Sequence, residues 1–486
     1  MRAVKEKPDF QYLRLANEIE GKIIGGEYRA GDKLPSLRKL HKQISQSIST
    51  VYQAYIELEN RGIVESRLKS GFYVKPLLHV KLSSPKSVTP SAIPKKVSIC
   101  TIANSIIEAM SDPGILQLGG AAPSSDLLPS KQLSRIIKSA SQEEMKHIML
   151  DYEIPAGNME LRREIAKKTF GLFEKITTNE IITTNGCMDA VSLCLKSVAK
   201  PGDTIAVESP TFHGFLQLIE GFDMYALEIQ TDIVKGIDTK KLMKAIDQHD
   251  VKACILNTTF NNPTGFSMSD RRKRELVTSL NKKNIPIIED DIYGDLYFGE
   301  KRPSTLKSFD KKGLVLYCSS FSKALAPGLR VGWTIPGKFK ETVMRNKMIA
   351  SLASSRLNQV IIARFLKSGS YDRHLRKIRN QLKNQVSNTS LAIARHFPEN
   401  TKITSPAGGL LLWCQLDPAI DAMELYYEAK KRNISILPGA ICSGTKKNHN
   451  CIRISCGYPW SKDLENGIIT LGRLISDLVD KKNGAN

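Results

Sequence analysis

The segment SSFSKALAPGLRVGW, residues 319–333, places one lysine among small and hydroxyl residues directly after an apolar run, GLVLYCSS. A lysine at the end of a buried strand is partly desolvated, which lowers its pKa and makes the amine a nucleophile toward aldehydes. Ser320, Ser322 and Arg330 bracket Lys323 with donors suited to a phosphate, the arginine through its bidentate fork. Amine and phosphate donors together point to a phosphorylated aldehyde, pyridoxal 5′-phosphate. An exposed lysine at a surface strand end is the alternative for this segment by itself.

Other segments add donors and a ring site. Gly186, Cys187 and Met188 open the helix DAVSLCLKSV, offering backbone N–H groups and the positive dipole end to a phosphate. Phe212 follows a strand in PGDTIAVESPTF, where an aromatic face either stacks on a flat ring or fills the core. The strand IPIIEDDIY ends in acids. Asp290 there is placed to keep a ring nitrogen charged and preserve an electron sink, and Tyr293 is placed to donate to a phenolic oxygen. Residues 261–265, NNPTG, read as a turn.

The elements that position these residues come in three regions. From about 101 to 486, apolar strand-like runs alternate with amphipathic helices, the βαβ signature of a parallel sheet. Residues 76–100 hold four prolines, several Ser and Thr, four lysines and no acid, which reads as a flexible basic linker. Residues 1–75 read as three helices and a hairpin. Leu13, Ala16, Ile19 and Ile23 give the first helix, 12–24, one apolar face. Ser36 caps the helix LRKLHKQI and Ser47 caps ISTVYQAYIELENR. On the latter, Val51, Ala54, Tyr55 and Leu58 face inward, and Ile48, Ser49, Tyr52 and Gln53 outward. IVESR and GFYV form the hairpin. This is a winged helix-turn-helix, whose second helix of the pair presents its N-terminal residues to base edges. Lys39, Lys42, Arg67 and Lys69 are placed to meet phosphates. A three-helix packing module with a solvated basic face is the alternative.

Charge supports the nucleic-acid reading. The 486 residues carry 71 Lys and Arg against 49 Asp and Glu, a net +22, which attracts polyanions. Hydrophobic residues at 41% and charged residues at 25% exclude disorder as the main state. No run is long enough to span a membrane, and the start lacks an apolar leader core. Nine Cys stand singly, with no CxxC pair, arguing for reduced thiols, a cytoplasmic home and no structural metal.

The segment GDKLPSLRKLHKQI…SISTVYQAYIELENRGIVESRLKSGFYV resembles the GntR-type DNA-binding domain. The LPS-x-R element, the LExxG helix end and the wing glycine, Gly71, are all in place. The resemblance implies Arg38 as a DNA contact, and with the outward faces it nominates Ser36, Arg38, Ser47, Ser49, Thr50, Tyr52, Arg67 and Lys69. One departure is Ile48, where the family usually has Arg; the lost contact is worth ~1–3 kcal/mol if it reads a base.

The ordered set LGGAAP, YEIPAGNMELRREIA, NGCMDA, PGDTIAVESPTF, NNPTG, EDDIY, SFSKALAPGLRVGW, PAGGLLLW, ILPGA and RISCG resembles the fold-type I, class I/II aminotransferases, over about 115–475. The resemblance implies an α/β fold with large and small subdomains. It makes Lys323 the lysine that bonds the cofactor, Asp290 the partner of the pyridine nitrogen, and Asn262 and Tyr293 the holders of O3′. Phe212 takes the ring-stacking position. Gly186, Cys187, Met188, Ser320, Ser322 and Arg330 meet the phosphate, and Tyr152 reaches it from the neighbouring subunit of a dimer. Arg453 clamps a substrate α-carboxylate, with Gly120 beside the substrate. Ser209-Pro210 and Asn262-Pro263 match prolines that are cis in the family. Cys187 stands where Ser or Thr is common, so one phosphate hydroxyl is lost.

A GntR-like head on an aminotransferase-like body resembles the MocR/GabR group of bacterial regulators. That implies a homodimeric transcription regulator with pyridoxal 5′-phosphate, promoter DNA and an amino acid or amine effector as partners. An active transaminase with a secondary DNA-binding head stays open, because the catalytic set is complete. A sensor of the cofactor alone has no use for Arg453.

Overall fold

In the computed structural model the described residues are 11–483 apart from 25–26, 29–30, 61–62, 68–69, 75–82, 110–111, 113, 174–175 and 446. The chain divides into two compact units, residues 1–81 and 82–486.

The first unit contains α1 (Gln11–Ile24), α2 (Leu37–Ile44), α3 (Ile48–Asn60) and the antiparallel hairpin β1 (Val64–Arg67) and β2 (Gly71–Val74). Ser36 Oγ accepts from Lys39 N at 3.3 Å and Ser47 Oγ from Thr50 N at 3.0 Å, so both helix starts are capped by their expected serines. Val51, Ala54, Tyr55 and Leu58 are buried, and Ile48, Ser49, Tyr52 and Gln53 are exposed. On α1 the face is centred elsewhere than expected. Leu13 is only half-buried while Leu15 is buried, because 15, 16, 19 and 23 follow the 3.6-residue period more closely. Tyr55 Oη donates to Pro35 O at 2.8 Å, tying α3 to the turn before α2.

The second unit opens with α4 (Cys100–Ala109), α5 (Ser130–Lys138), α6 (Gln142–Leu150) and α7 (Met159–Lys168). Its large sheet is built from β3 (Ile182–Thr184), β4 (Thr204–Ser209), β5 (Tyr225–Asp232), β6 (Gly236–Ile237), β7 (Val251–Leu256), β8 (Ile287–Asp290), β9 (Val315–Ser320) and β10 (Gly332–Ile335). The strand order is β3-β10-β9-β8-β7-β4-β5-β6. The five strands from β9 to β5 are parallel and β10 and β6 run against them, while the edge strand β3, paired antiparallel to β10, runs with the five, so the sheet is mixed. The parallel strands are buried on both faces, covered by α8 (Cys187–Val198), α9 (His213–Gly221), α10 (Thr239–Gln248) and α11 (Asp270–Lys282) among others. Helices α12 (Lys340–Ser351), α13 (Arg356–Lys367) and the long α14 (Ser370–His396) follow. A smaller antiparallel sheet, ordered β11-β12-β14-β13, comprises β11 (Lys402–Ile403), β12 (Leu411–Gln415), β13 (Leu437–Pro438) and β14 (Cys451–Ser455). No helix among the described residues is long and apolar enough to cross a membrane.

The reading of 76–100 as a flexible linker needs correction over 83–100, while 76–82 lie outside the described residues. Residues 83–99 lie along the second unit: Lys95 exchanges backbone hydrogen bonds with Ala226, Val97 and Ile99 are buried in its core, and Pro85 and Pro90 are buried. Proline-rich chain is stiff and extended, and alternating apolar residues give it a face to bury.

The head's core rests on few residues, and Leu58→Ala should cost it about 2–5 kcal/mol. Hydrogen exchange should show faster exchange across α1 to α3, while β4, β7, β8 and β9 keep their protection.

Candidate functional site

The site is assembled at the carboxyl ends of neighbouring parallel strands, where the chain leaves β4 for one side and β7, β8 and β9 for the other, the usual ligand crevice of such sheets. Pro210 and Phe212 follow β4, Asn257 follows β7, Asp290 ends β8, and Ser320 ends β9 with Ser322 and Lys323 just beyond.

One corner is a phosphate-type cradle. Gly186 precedes α8 with φ +95°, and its N-cap has no side-chain hydrogen bond, so the first turn keeps free N–H groups. Arg330 Nη1 donates to Ser322 Oγ at 3.3 Å and Nη2 to Asn185 O at 3.1 Å. Ser322 N donates to Ser320 Oγ at 3.3 Å. A Cβ on Gly186 would stand 2.6 Å from Arg330 Nη2, and one on Gly332 would stand 2.5 Å from Gly186 C. Two glycines therefore let the helix start, the arginine and β10 converge.

A second corner holds the ionisable groups. Asp290 is buried and accepts from Ile292 N at 3.0 Å and from the Cys187 thiol at 3.4 Å. Burial pushes its pKa up to about 6 against those hydrogen bonds and the charge of Lys323. The Cys187 thiol is raised well above its usual value, by burial first and the Asp290 charge second. Its side chain thus serves the carboxylate, leaving its backbone N–H for an anion. Lys323 is half-buried, and desolvation followed by the Arg453 charge brings its pKa down to about 8, against the pull of Asp290.

The third corner is an arginine. Arg453, fully buried on β14, donates from Nη1 to Asn262 Oδ1 and from Nη2 to Gly119 O, both at 2.6 Å, and its Nε has no partner among the described residues. Gly120, next in the chain, would place a Cβ in open space. Tyr293 Oη donates to Ala121 O at 3.0 Å. Phe212 and Met188 pack half-buried against the core beneath α8 and α9. The bonds Ser209-Pro210 and Asn262-Pro263 are cis. Tyr152 stands apart, 86% exposed, with no hydrogen bond among the described residues.

Three groups escaped the sequence reading. Asn257 donates from Nδ2 to Asp290 O and accepts at Oδ1 from Asn262 N, both at 2.6 Å, joining two corners. Glu208 accepts from Asn257 N at 2.7 Å and from Asn261 Nδ2 at 3.2 Å, and burial raises it to about 8. His213, ring to ring with Phe212 at 4.5 Å, has an Nδ1 without a partner among the described residues and is lowered to about 3 by burial and the Arg453 charge. The detectable signal was an acid inside the apolar run IAVES; nothing local marks Asn257.

In the head, Arg38, Ser36, Ser47, Ser49 and Tyr52 are exposed and Thr50 is half-buried. Ser47 Oγ lies 2.7 Å from Ser49 Oγ and 2.8 Å from Thr50 Oγ1, so this trio is committed to the cap. Arg67 lies over the Tyr73 ring at 4.2 Å and pairs with Glu65, so it is less free than a lone phosphate contact. Lys69 lies outside the described residues.

These two units define a winged-helix head fused to an aminotransferase-like body, the architecture of MocR/GabR-type regulators. The chain belongs to the class I and II aminotransferase family, whose model matches residues 123–467, and carries a bacterial regulatory domain of the gntR family over 11–74. The uncharacterized HTH-type transcriptional regulator YdcR of Escherichia coli K12 is 35% identical over 96% of this chain and 99% of its own. The HTH-type transcriptional regulator NorG of Staphylococcus aureus USA300 is 26% identical over 90% and 98%. Among solved structures, the α-aminoadipate aminotransferase LysN of Thermus thermophilus covers 79% of this chain and 96% of its own, with 25% identity and TM-score 0.73. The multiple substrate aminotransferase of Thermococcus profundus, at 24% identity and TM-score 0.72, covers 78% and 95% and shows the same fold.

Glu208 takes up a proton on folding over the window from its unfolded value, 4.5, to about 8, so it withdraws stability as pH rises through that window. Glu208→Gln keeps an acceptor for Asn257 and should flatten the loss. In thermal unfolding of the ligand-free protein, the variant should match wild type near pH 4.5 and exceed it by roughly 5 kcal/mol above pH 8.

Proposed function

We propose that this protein is a cytoplasmic, homodimeric transcription regulator that binds promoter DNA through its winged helix and pyridoxal 5′-phosphate, with an amino compound as effector, through its body. The observation that carries the reading is the convergence of Lys323, its pKa lowered to about 8, with the buried Asp290 and the Gly186–Ser322–Arg330 cradle at the strand ends. The donor set fits the cofactor. Arg330, Ser322, Ser320 and the first-turn N–H groups of α8 would hold its phosphate. Lys323 would bond its aldehyde, Asp290 would pair with its ring nitrogen, and Asn262 and Tyr293 would stand by its phenolic oxygen. Bound there, it supplies an electron sink for an amino compound.

The protein's own groups divide the remaining work. Near neutral pH a share of Lys323 on the order of a tenth is unprotonated, so it is able both to attack a carbonyl carbon and to carry a proton. Asp290, kept ionised above about pH 6 with the help of Cys187 and Ile292 N–H, holds a proton on a ring nitrogen. Arg453 anchors a carboxylate with its spare N–H groups, since each Nη uses one donor and Nε none. Tyr152, exposed in the single chain, would serve a second subunit.

The buried Arg453 and the depressed Lys323 also favour a second reading, a working transaminase. In the first, an amino acid shifts the visible absorbance of the cofactor-loaded protein without turnover; in the second, keto acid accumulates.

Lys323→Ala should abolish the visible absorbance of the cofactor-loaded protein and its fixation by borohydride, while thermal stability stays within about 1 kcal/mol, since a desolvated lysine stabilises little. A variant that still fixes cofactor with borohydride would overturn the assignment.

Binding to a promoter duplex should fall steeply with salt, and Arg38→Ala should reduce the log–log slope by about one while leaving cofactor absorbance unchanged. An unchanged slope in a filter or mobility assay would exclude Arg38 as a phosphate contact.

A further inference from the structure

A groove of about 560 Å³ runs between α5 and α14 of the body, lined by Leu127, Lys131, Arg135, Phe365, Arg373 and Lys377 among others. Lys131 and Arg135 stand one turn apart on α5, and Arg373 and Lys377 one turn apart on α14. Like charges at that spacing work against a helix unless something compensates them. None of the four has a carboxylate within ion-pair distance among the described residues, in a surface where Arg356, Arg364 and Lys431 all find one. The acid on the wall, Asp126, accepts from Ser124 Oγ.

Three further features favour an anion with an apolar part. The cap residue of α5, Pro129, makes no side-chain cap bond, and although Ser130 N donates to Leu128 O, the Lys131 and Gln132 N–H groups of its first turn have no partner among the described residues. Leu127 and Phe365 are buried and supply an apolar floor. His374 is also buried at the groove; its Nε2 donates to Ala324 O at 2.7 Å, and its Nδ1 has no protein partner among the described residues. The groove is therefore one side chain away from the residue that follows Lys323.

We propose that this groove is a second anion site, for a small phosphate-bearing ligand of the nucleotide class, separate from the Gly186–Ser322–Arg330 cradle. Its four cations match the charge of a triphosphate, and its volume and floor match a base and sugar. The inference stands on the groove's own residues and does not require the body to hold pyridoxal 5′-phosphate.

Isothermal titration of the full-length protein with ATP tests it. Wild type should bind saturably, and Arg373→Gln/Lys377→Gln should weaken binding by about tenfold or more. Lys131→Gln/Arg135→Gln, on the opposite wall, should do the same. Both pairs lie on the surface, and circular dichroism should be unchanged. Arg330→Ala should leave ATP binding intact. No saturation by ATP, or loss in Arg330→Ala with retention in the groove variants, would overturn the proposal. A duplex DNA affinity weakened by the groove variants without any ATP binding would also overturn it, assigning the cations to duplex phosphates.

Discussion

A carboxylate buried at the end of a central strand is costly unless its surroundings are fixed, and the body is organised around that cost at Asp290. The strand delivers Asp290 out of water, and burial raises its pKa and favours its protonated form. Two donors and one amine restrain that rise: the Ile292 N–H, the Cys187 thiol and Lys323. Each comes from a different segment. The strand end, the first turn of α8 and the loop after β9 must therefore meet at one place before the carboxylate is tolerable. The same meeting puts the helix start beside Ser322 and Arg330.

Beneath that meeting lies an uncharged brace. Asn257 spends its amide on Asp290 O and its carbonyl on Asn262 N, and Asn262 in turn accepts from Arg453. The backbone carbonyl of Asp290 on β8 and a guanidinium from the small sheet are thus linked through Asn257 and Asn262. Glu208, raised to about 8, contributes a mostly protonated carboxyl there at neutral pH, adding acceptor oxygens with little extra negative charge beside Asp290. Amides suit this position because they bridge donor and acceptor without importing a charge that would need its own partner.

The parts that were legible in the sequence are those that local rules govern. Ser36 and Ser47 announce helix starts because their hydroxyls satisfy N–H groups two or three residues on, and Lys323 stands out because its hydroxyl neighbours are sequential. Glycine at 186 is a local signal too, though its necessity comes from Arg330, 144 positions away in the chain, and from the β10 backbone. What stayed illegible depends on distant partners. Asn257 is one asparagine among several until Asp290 and Asn262 are in place. Arg67 looked like a free cation because the Tyr73 ring that it covers belongs to the opposite strand of the hairpin. Tyr152 shows nothing even in the folded chain, since its proposed partner is a second molecule.

The proline-rich stretch is the instructive error, because composition there was read as freedom. Ser83 accepts from Ile403 N, Lys86 N donates to Gln415, and Thr89 accepts from Lys447, all beside or within the small sheet. Ser87 accepts from Gln230, Ala92 from His249, and Lys95 pairs with Ala226, all on the large-sheet side. Ile99 N and Cys100 N then both donate to Glu220. A strap fastened to both sheets cannot follow one of them without straining its bonds to the other. These bonds are mostly backbone or neutral contacts at the surface, each worth about 1 kcal/mol, so they are strong enough together to hold the strap and weak enough singly to exchange. Within the body, residues 83–100 therefore register the position of the small sheet, which carries Arg453, against the large sheet, which carries Asp290.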